Sequence, residues 1–407
     1  MKTNIQMIAL ILTLAFCGCR KDTVEGPKDP RPVNLTEKAQ VIIDKSNVFG
    51  IDLFRETAQA QNGNLMLSPL SASTALSMLL NGCQAETYNQ IRDMLGYGAL
   101  TQDEINESYQ SLVSQLLILD PEINLSLANS VWYRQGFAVK SPFLTSMENA
   151  YNAEIAALDF ASPSAVTTIN NWAKENTNGK IEQVLQEIDP AAVMFLMNAL
   201  YFKGTWTYQF DKSQTGEVDF HPDNSAAVQV DMMKGKLPYR LFAGNNYTAI
   251  ELNYGQQNFA MDIVVPFGTL DEFLSGFNGE AWQEITTGLN AVSTPESAEL
   301  IIPKFKFDFE KVLNDQLTAL GMIDAFEPSL ANLSGISDDD IYVSFVKQNT
   351  FVDVNEEGTE AAAVTTIGIV ETSAPLPFVV DKPFIFAIRE RLSNTLLFIG
   401  KVELPVY

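Results

Sequence analysis

Glu356-Glu357-Gly358-Thr359-Glu360-Ala361-Ala362-Ala363-Val364-Thr365-Thr366 joins the apolar strand pattern Phe351-Val352-Asp353-Val354 to a second apolar run, Pro377-Phe378-Val379-Val380. Written at strand period, one face carries Thr359, Ala361, Ala363, Thr365, Ile367 and Ile369, and the other Glu360, Ala362, Val364, Thr366, Gly368 and Val370. The early positions of the first face are all small. A segment that must slide between two strands already in contact needs that, because a large side chain clashes before the ladder closes. Thr359, Glu360 and three alanines also fit a capped short helix or a plain linker. These residues alone leave the choice open.

The flanks narrow it. With Glu356-Glu357 before and Lys382-Pro383-Phe384 after, Gly358-Thr359-Glu360-Ala361-Ala362-Ala363 resembles the reactive-loop hinge of the serpins, a family of suicide protease inhibitors. Upstream, Asn64-Leu65-Met66-Leu67-Ser68-Pro69-Leu70-Ser71, Ala75-Leu76-Ser77-Met78-Leu79 and Thr87 are similar to the family's amino-terminal signature, with Ala85 standing where glycine is usual. Ala128-Asn129-Ser130-Val131-Trp132 resembles a strand of the main serpin sheet. Ile169-Asn170-Asn171-Trp172 resembles the helix across that sheet, and Asn176 to Ile181 its exit turn. Met197-Asn198-Ala199-Leu200-Tyr201-Phe202-Lys203-Gly204-Thr205-Trp206 is among the most specific strings. The likeness runs over about 44–407, which leaves no room for a separate catalytic domain.

Composition agrees with a packed chain and fits an ordinary hydrolase poorly, and the resemblance implies an inhibitor of serine-type endopeptidases rather than an enzyme. At 407 residues and 46% hydrophobic, it can bury a large core. A net charge of −24 repels nucleic acid and disfavours a heparin-like partner. The single histidine, His221, precludes a histidine-pair metal site, and no Gly-x-Ser-x-Gly elbow is present. Asp353, Asn355, Glu357 and Gly358 open like a calcium loop, but Val364 stands at the closing position and cannot ligate. No cofactor or metal is expected. Asp338-Asp339-Asp340 reads as a solvated loop.

Residues 1–18 read as an export signal, with Lys2 before an apolar run too short to span a bilayer permanently. Gly18-Cys19 resembles the processing site of bacterial lipoproteins, although Phe16 stands where leucine is usual; the alternative is a simple secreted protein. Residues 19–37 then form the lipidated amino terminus and a flexible tether, and 38–407 the domain. The expected location is the bacterial cell envelope, on the periplasmic or surface side of the outer membrane, or outside the cell; membrane contact is through the lipid only. Cys83, after Leu79-Leu80, reads as a small buried hydrophobe.

Along the chain, Val48, Ile51, Leu53 and Phe54 form a helical stripe, Ser68-Pro69 opens a second helix, and 230–233, 249–252, 260–266 and 300–305 read as strands. The resemblance implies an α+β fold: one serpin-like domain with three β-sheets, eight to nine helices and an exposed reactive loop at about 356–377. It also implies a monomer whose partner is a target protease, held in a covalent acyl complex. Gly358 is the expected pivot where the strand turns out of the sheet, and Thr359 the first residue to enter it on cleavage.

In serpins the hinge glycine lies fourteen residues before the residue that is cleaved after, and counting back from Lys382-Pro383-Phe384 reaches the same place; both assign the reactive bond to Thr372-Ser373, after Ile369, Val370 and Glu371. A small uncharged bait suits an elastase-like serine protease, and Val370 suits a papain-like cysteine protease if cleavage follows Glu371. A trypsin-like pocket gains nothing from Thr372. A sheet-opening cluster is implied at Ser68, Ser71, Asn198, Trp206 and Gln348, with Gln348 standing where the family usually places a histidine; glutamine donates and accepts but does not charge. The alternative within the family is a non-inhibitory binding or chaperone module.

Overall fold

The computed structural model describes residues 29–359 and 376–407. The export signal, Cys19, most of the tether, Glu360 to Ala363, Ile369, Val370, Glu371, Thr372 and Ser373 lie outside the described residues.

Among the described residues the chain forms nine α-helices: α1 (Glu37–Ala60), α2 (Pro69–Leu80), α3 (Ala85–Met94), α4 (Gln102–Leu116), α5 (Ser141–Tyr151), α6 (Pro163–Asn176), α7 (Leu270–Gly276), α8 (Gly279–Ala291) and α9 (Asn314–Ala319). Side-chain oxygens of Thr36, Ser68, Thr101, Ser162, Thr269 and Asn278 accept the first-turn N–H groups that would otherwise lack a partner. Ala85, in the position usually held by glycine, sits at φ +52°, a left-handed conformation that a Cβ strains.

The strands form three sheets, as expected of an α+β serpin-like fold. The main sheet runs β11 (Phe305–Val312), β12 (Lys347–Asn355), β13 (Gly358–Thr359), β4 (Met194–Thr205), β2 (Ile123–Arg134), β3 (Glu154–Leu158). The second runs β1 (Leu65–Leu67), β16 (Leu396–Val402), β15 (Phe384–Glu390), β9 (Phe259–Pro266), β8 (Tyr247–Tyr254), β7 (Arg240–Ala243). The third runs β14 (Phe378–Val379), β10 (Glu299–Pro303), β6 (Val228–Lys236), β5 (Gly216–Phe220). Buried on both faces, β9, β15 and β16 read as near-continuous apolar runs rather than alternating ones. On the outer side of the main sheet α6 covers β2 and β4, with Trp172 set edge-on to Trp132 at 6.2 Å. Cys83 is buried, which pushes its thiol up and keeps it protonated.

Three expectations need correction. The run 300–305 is two strands: Pro303 has no N–H to continue the ladder, and at Lys304 the chain crosses from the third sheet to the main one, its N–H donating to Asp231 O at 2.9 Å. The tether ends earlier than residue 37. The Arg31 N–H donates to Asn258 Oδ1 at 2.9 Å and its carbonyl accepts from Asn258 Nδ2 at 2.7 Å, because the buried Asn258 amide needs partners; Asn34 is held likewise by Gln115. In the α1 stripe Ile51, Leu53 and Phe54 are buried, but Val48 turns to the surface.

Candidate functional site

The site is the boundary between β12 and β4, and it starts at the hinge. After Asn355 the chain turns through Glu356 and Glu357, with Asn355 Oδ1 accepting from Glu357 N at 3.0 Å. It re-enters the main sheet as β13, where Gly358 pairs with Asn355 and Thr205, and Thr359 with Val354 and Gly204. Gly358 has φ +147°, and a Cβ there would lie 2.1 Å from the Gly204 carbonyl oxygen, so only glycine permits this approach. The expected pivot and first entrant are therefore already strand residues. Backbone partners on both sides and a fitted side chain hold them there.

Thr359 is 4% exposed, and its hydroxyl lies 2.7 Å from the Tyr254 hydroxyl. Burial pushes the Tyr254 phenol far up, only partly opposed by that hydrogen bond, so both hydroxyls carry protons. Tyr254 stacks on Trp206 at 4.4 Å and 10°, and Trp206 Nε1 donates to Asn355 O at 2.9 Å. Trp206 N and Phe210 N donate to the carbonyls of Glu357 and Glu356, each at 2.9 Å. The Glu356 carboxylate accepts from Thr215 Oγ1 at 2.7 Å and pairs with Lys304 at 3.3 Å, while Glu357 pairs with Lys212. Burial pushes the Glu356 carboxyl up, but its own N–H, Thr215 and Lys304 together outweigh that and hold it below its ordinary value.

The implied sheet-opening cluster does not form one group. Gln348, Ser68 and Ser71 do meet: Ser68 N donates to Gln348 Oε1 at 3.1 Å, Gln348 Nε2 donates to Ser68 O at 2.8 Å, Ser68 Oγ donates to Leu397 O at 2.8 Å, and Ser71 N donates to Ser68 Oγ at 3.1 Å. Asn198 is bound elsewhere. Its Nδ2 donates to Asn129 Oδ1 at 2.7 Å, and Asn129 Nδ2 in turn donates to Tyr109 OH at 3.1 Å and Tyr151 O at 2.7 Å. Trp206 belongs to the hinge. It follows Asn198 by eight residues along and just past β4, about 26 Å at roughly 3.3 Å per residue, too far for a common cluster.

Sequence reasoning missed Tyr254, Asn129 and the Glu356–Thr215–Lys304 group. Asn129 was findable, since it and Asn198 are cross-strand partners and aligning the two strand motifs pairs them. Tyr254 carried no local signal: it lies on the second sheet, about a hundred residues from Thr359. The acidic run is not entirely unpartnered, because Asp338 pairs with Lys140 at 2.5 Å.

This arrangement has recognisable counterparts. The family model for "Serpin (serine protease inhibitor)" matches residues 44–405. An uncharacterized serpin-like protein of Methanosarcina mazei is 31% identical across 100% of this chain and 99% of its own length. The leukocyte elastase inhibitor of Sus scrofa is 35% identical over 88% of this chain and 97% of its own. Among solved structures, the thermophilic serpin tengpin in its native state superposes with a TM-score of 0.81 at 29% identity, covering 93% of this chain and 97% of that one. With the hinge seated between two strands of a three-sheet fold and a family match across almost the whole chain, the protein belongs to the serpins, a family whose members generally inhibit proteases rather than catalyse reactions.

Proposed function

We propose that this chain is a suicide inhibitor of elastase-like serine proteases, with papain-like cysteine proteases as a second target class. The observation that carries the proposal is the register at the hinge. Thr359 is already paired between Val354 and Gly204, so the boundary of β12 and β4 accepts a loop strand whose next inward residues, Ala361, Ala363 and Thr365, are small.

The chemistry begins on the protease. Its nucleophile attacks the Thr372 carbonyl carbon, the Thr372–Ser373 amide breaks, and the new Ser373 amine leaves with a proton from the protease's general acid. Thr372 is then held as an acyl-enzyme. The freed loop adds to the main sheet as a new strand and drags the protease with it. Loss of even one oxyanion donor slows deacylation by about two to three decades, so modest distortion traps the ester. Roughly a dozen new ladder residues at about 1 kcal/mol each favour the inserted form by on the order of 10 kcal/mol, and the uncleaved form persists kinetically.

The bait supports the target class. No Lys or Arg lies between Gly358 and Lys382, and the likeness to a leukocyte elastase inhibitor points the same way. Mass spectrometry of the small fragment released from an SDS-stable elastase complex tests the bond. A fragment beginning at Ser373 supports it, one beginning at Thr372 or Glu371 shifts it, and trapping of trypsin but not elastase overturns the class. If no protease of a broad serine and cysteine panel is trapped, the non-inhibitory binding module replaces this reading.

The same proposal places the protein in the bacterial cell envelope through lipid on Cys19. Cys19→Ala should release soluble protein, and an unmodified mass for the mature amino terminus would sink the anchor.

A further inference from the structure

We propose that Tyr254 is a positioning residue for the trapping reaction: its phenol receives the Thr359 hydroxyl and holds the first loop position in the main sheet before any protease has cut the chain. The inference rests on the inhibitory reading above.

Tyr254 ends β8 of the second sheet, yet its side chain reaches the main sheet. The ring is wholly buried and fixed on two sides, stacked on Trp206 at 4.4 Å and set edge-on to Phe202 at 5.2 Å and 70°. That leaves the hydroxyl one direction, and Thr359 Oγ1 stands there at 2.7 Å. Were Thr359 to leave, the phenol would face an apolar lining that includes Phe202 and Trp206, with no replacement acceptor from those side chains. The seat therefore favours an occupied first rung.

An occupied rung changes the kinetics of insertion. Starting a strand fixes several backbone torsions before any ladder bond forms, whereas extending an existing rung adds bonds one residue at a time. Whether the acyl-enzyme is trapped or hydrolysed depends on insertion outrunning deacylation. Tyr254 acts on that race and not on cleavage itself, because its contact is with Thr359, thirteen residues before Thr372 in the sequence.

Tyr254→Phe removes the hydroxyl and keeps the stack. Thr359→Val removes the other hydroxyl at similar volume, and Thr359→Ser restores it. Two measurements on the intact protein separate the possibilities. Amide hydrogen exchange at Thr359, with no protease present, should be about fivefold faster in Tyr254→Phe and in Thr359→Val, no faster still in the double variant, and near wild type in Thr359→Ser. The number of inhibitor molecules consumed per trapped elastase should rise in the first three and not in the fourth, with the rate of loop cleavage unchanged. Unchanged exchange in Tyr254→Phe, or additive effects in the double variant, overturns the seat. Faster exchange with an unmoved stoichiometry overturns the positioning role alone. Faster exchange in the variants, with a wild-type protein that traps no protease, overturns the inhibitory reading and the positioning role together.

Discussion

The two ends of the β12–β4 boundary are closed by different chemistry. At the hinge end, Glu356 and Glu357 pair with Lys304 and Lys212, and a stacked Trp206–Tyr254 pair lies under Thr359. At the other end Gln348 bridges the backbone N–H and C=O of Ser68, and Asn198 meets Asn129, with no charge in either contact. Charges are tolerated at the hinge because each carboxylate has a lysine partner, Lys304 for the buried Glu356 and Lys212 for Glu357. Ser68 and Gln348 are buried, and a charge there would lack compensation. The hinge end is thus anchored partly by ionised groups, and the far end by neutral ones.

The sharpest way to break this contrast is a charge in the seat. Thr359→Arg places a guanidinium against Tyr254, at a cost of several kcal/mol without a paired anion, and under the proposed inhibitory function should leave a chain that is cleaved without trapping. Wild-type protein cleaved in its loop should also melt well above the intact form, and the variant should lose most of that gain. Trapping by Thr359→Arg at unchanged stoichiometry would show that the hinge does not have to enter here.

A smaller effect is expected at the far end. Gln348→Ala leaves the buried Ser68 N–H without this partner, while the Ser68 carbonyl keeps the Ala72 N–H at 3.0 Å; the loss is worth about 1–3 kcal/mol, visible as a lower melting temperature. Gln348→His should make melting fall relative to wild type as pH drops from 7 to 5, since a buried imidazole resists the charge it takes up around its ordinary value of about 6.5. The comparison must be a difference between the two proteins. Burial pushes Asp262, beside Arg389 in the second sheet, up to about 6, which lowers stability as pH rises through that range in both proteins alike. Equal pH slopes for wild type and Gln348→His would mean that position 348 does not sense the boundary.

The smallest effect belongs to acid at the hinge. The folded Glu356 carboxyl is held below 4.5, so its contribution is complete above that value and is lost as pH falls through the lower, folded one. Hydrogen exchange at Thr359, corrected for intrinsic pH dependence, should be flat from pH 7 to 5 and quicken below about 4.5. Glu356→Gln should remove the acid step. An acid step that survives in Glu356→Gln would assign it to another group.

Much of this was legible from residues close in sequence. Ser68-Pro69 announced α2 because a serine oxygen and a proline at the first helical position satisfy or remove orphan N–H groups. Met197 to Trp206 announced β4, and Phe351 to Val354 announced β12. The break at Lys304 was not legible, because strand propensity does not say which sheet a strand joins. Nor was the division of Ser68, Asn198 and Trp206 into three places, which depends on where along a long strand each neighbour arrives.

By itself the sequence determined the family through its motifs, and the α+β class, the small residues at alternate positions after Gly358 and the lack of Lys or Arg between Gly358 and Lys382 through side-chain size, period and charge along the chain. Only the tertiary structure decided that Gly358 and Thr359 already occupy the main sheet, that Gln348 grips the Ser68 backbone, and that Tyr254 waits beneath the hinge. Those facts rest on contacts between residues about a hundred to three hundred positions apart, whose geometry is set by how three sheets pack against one another.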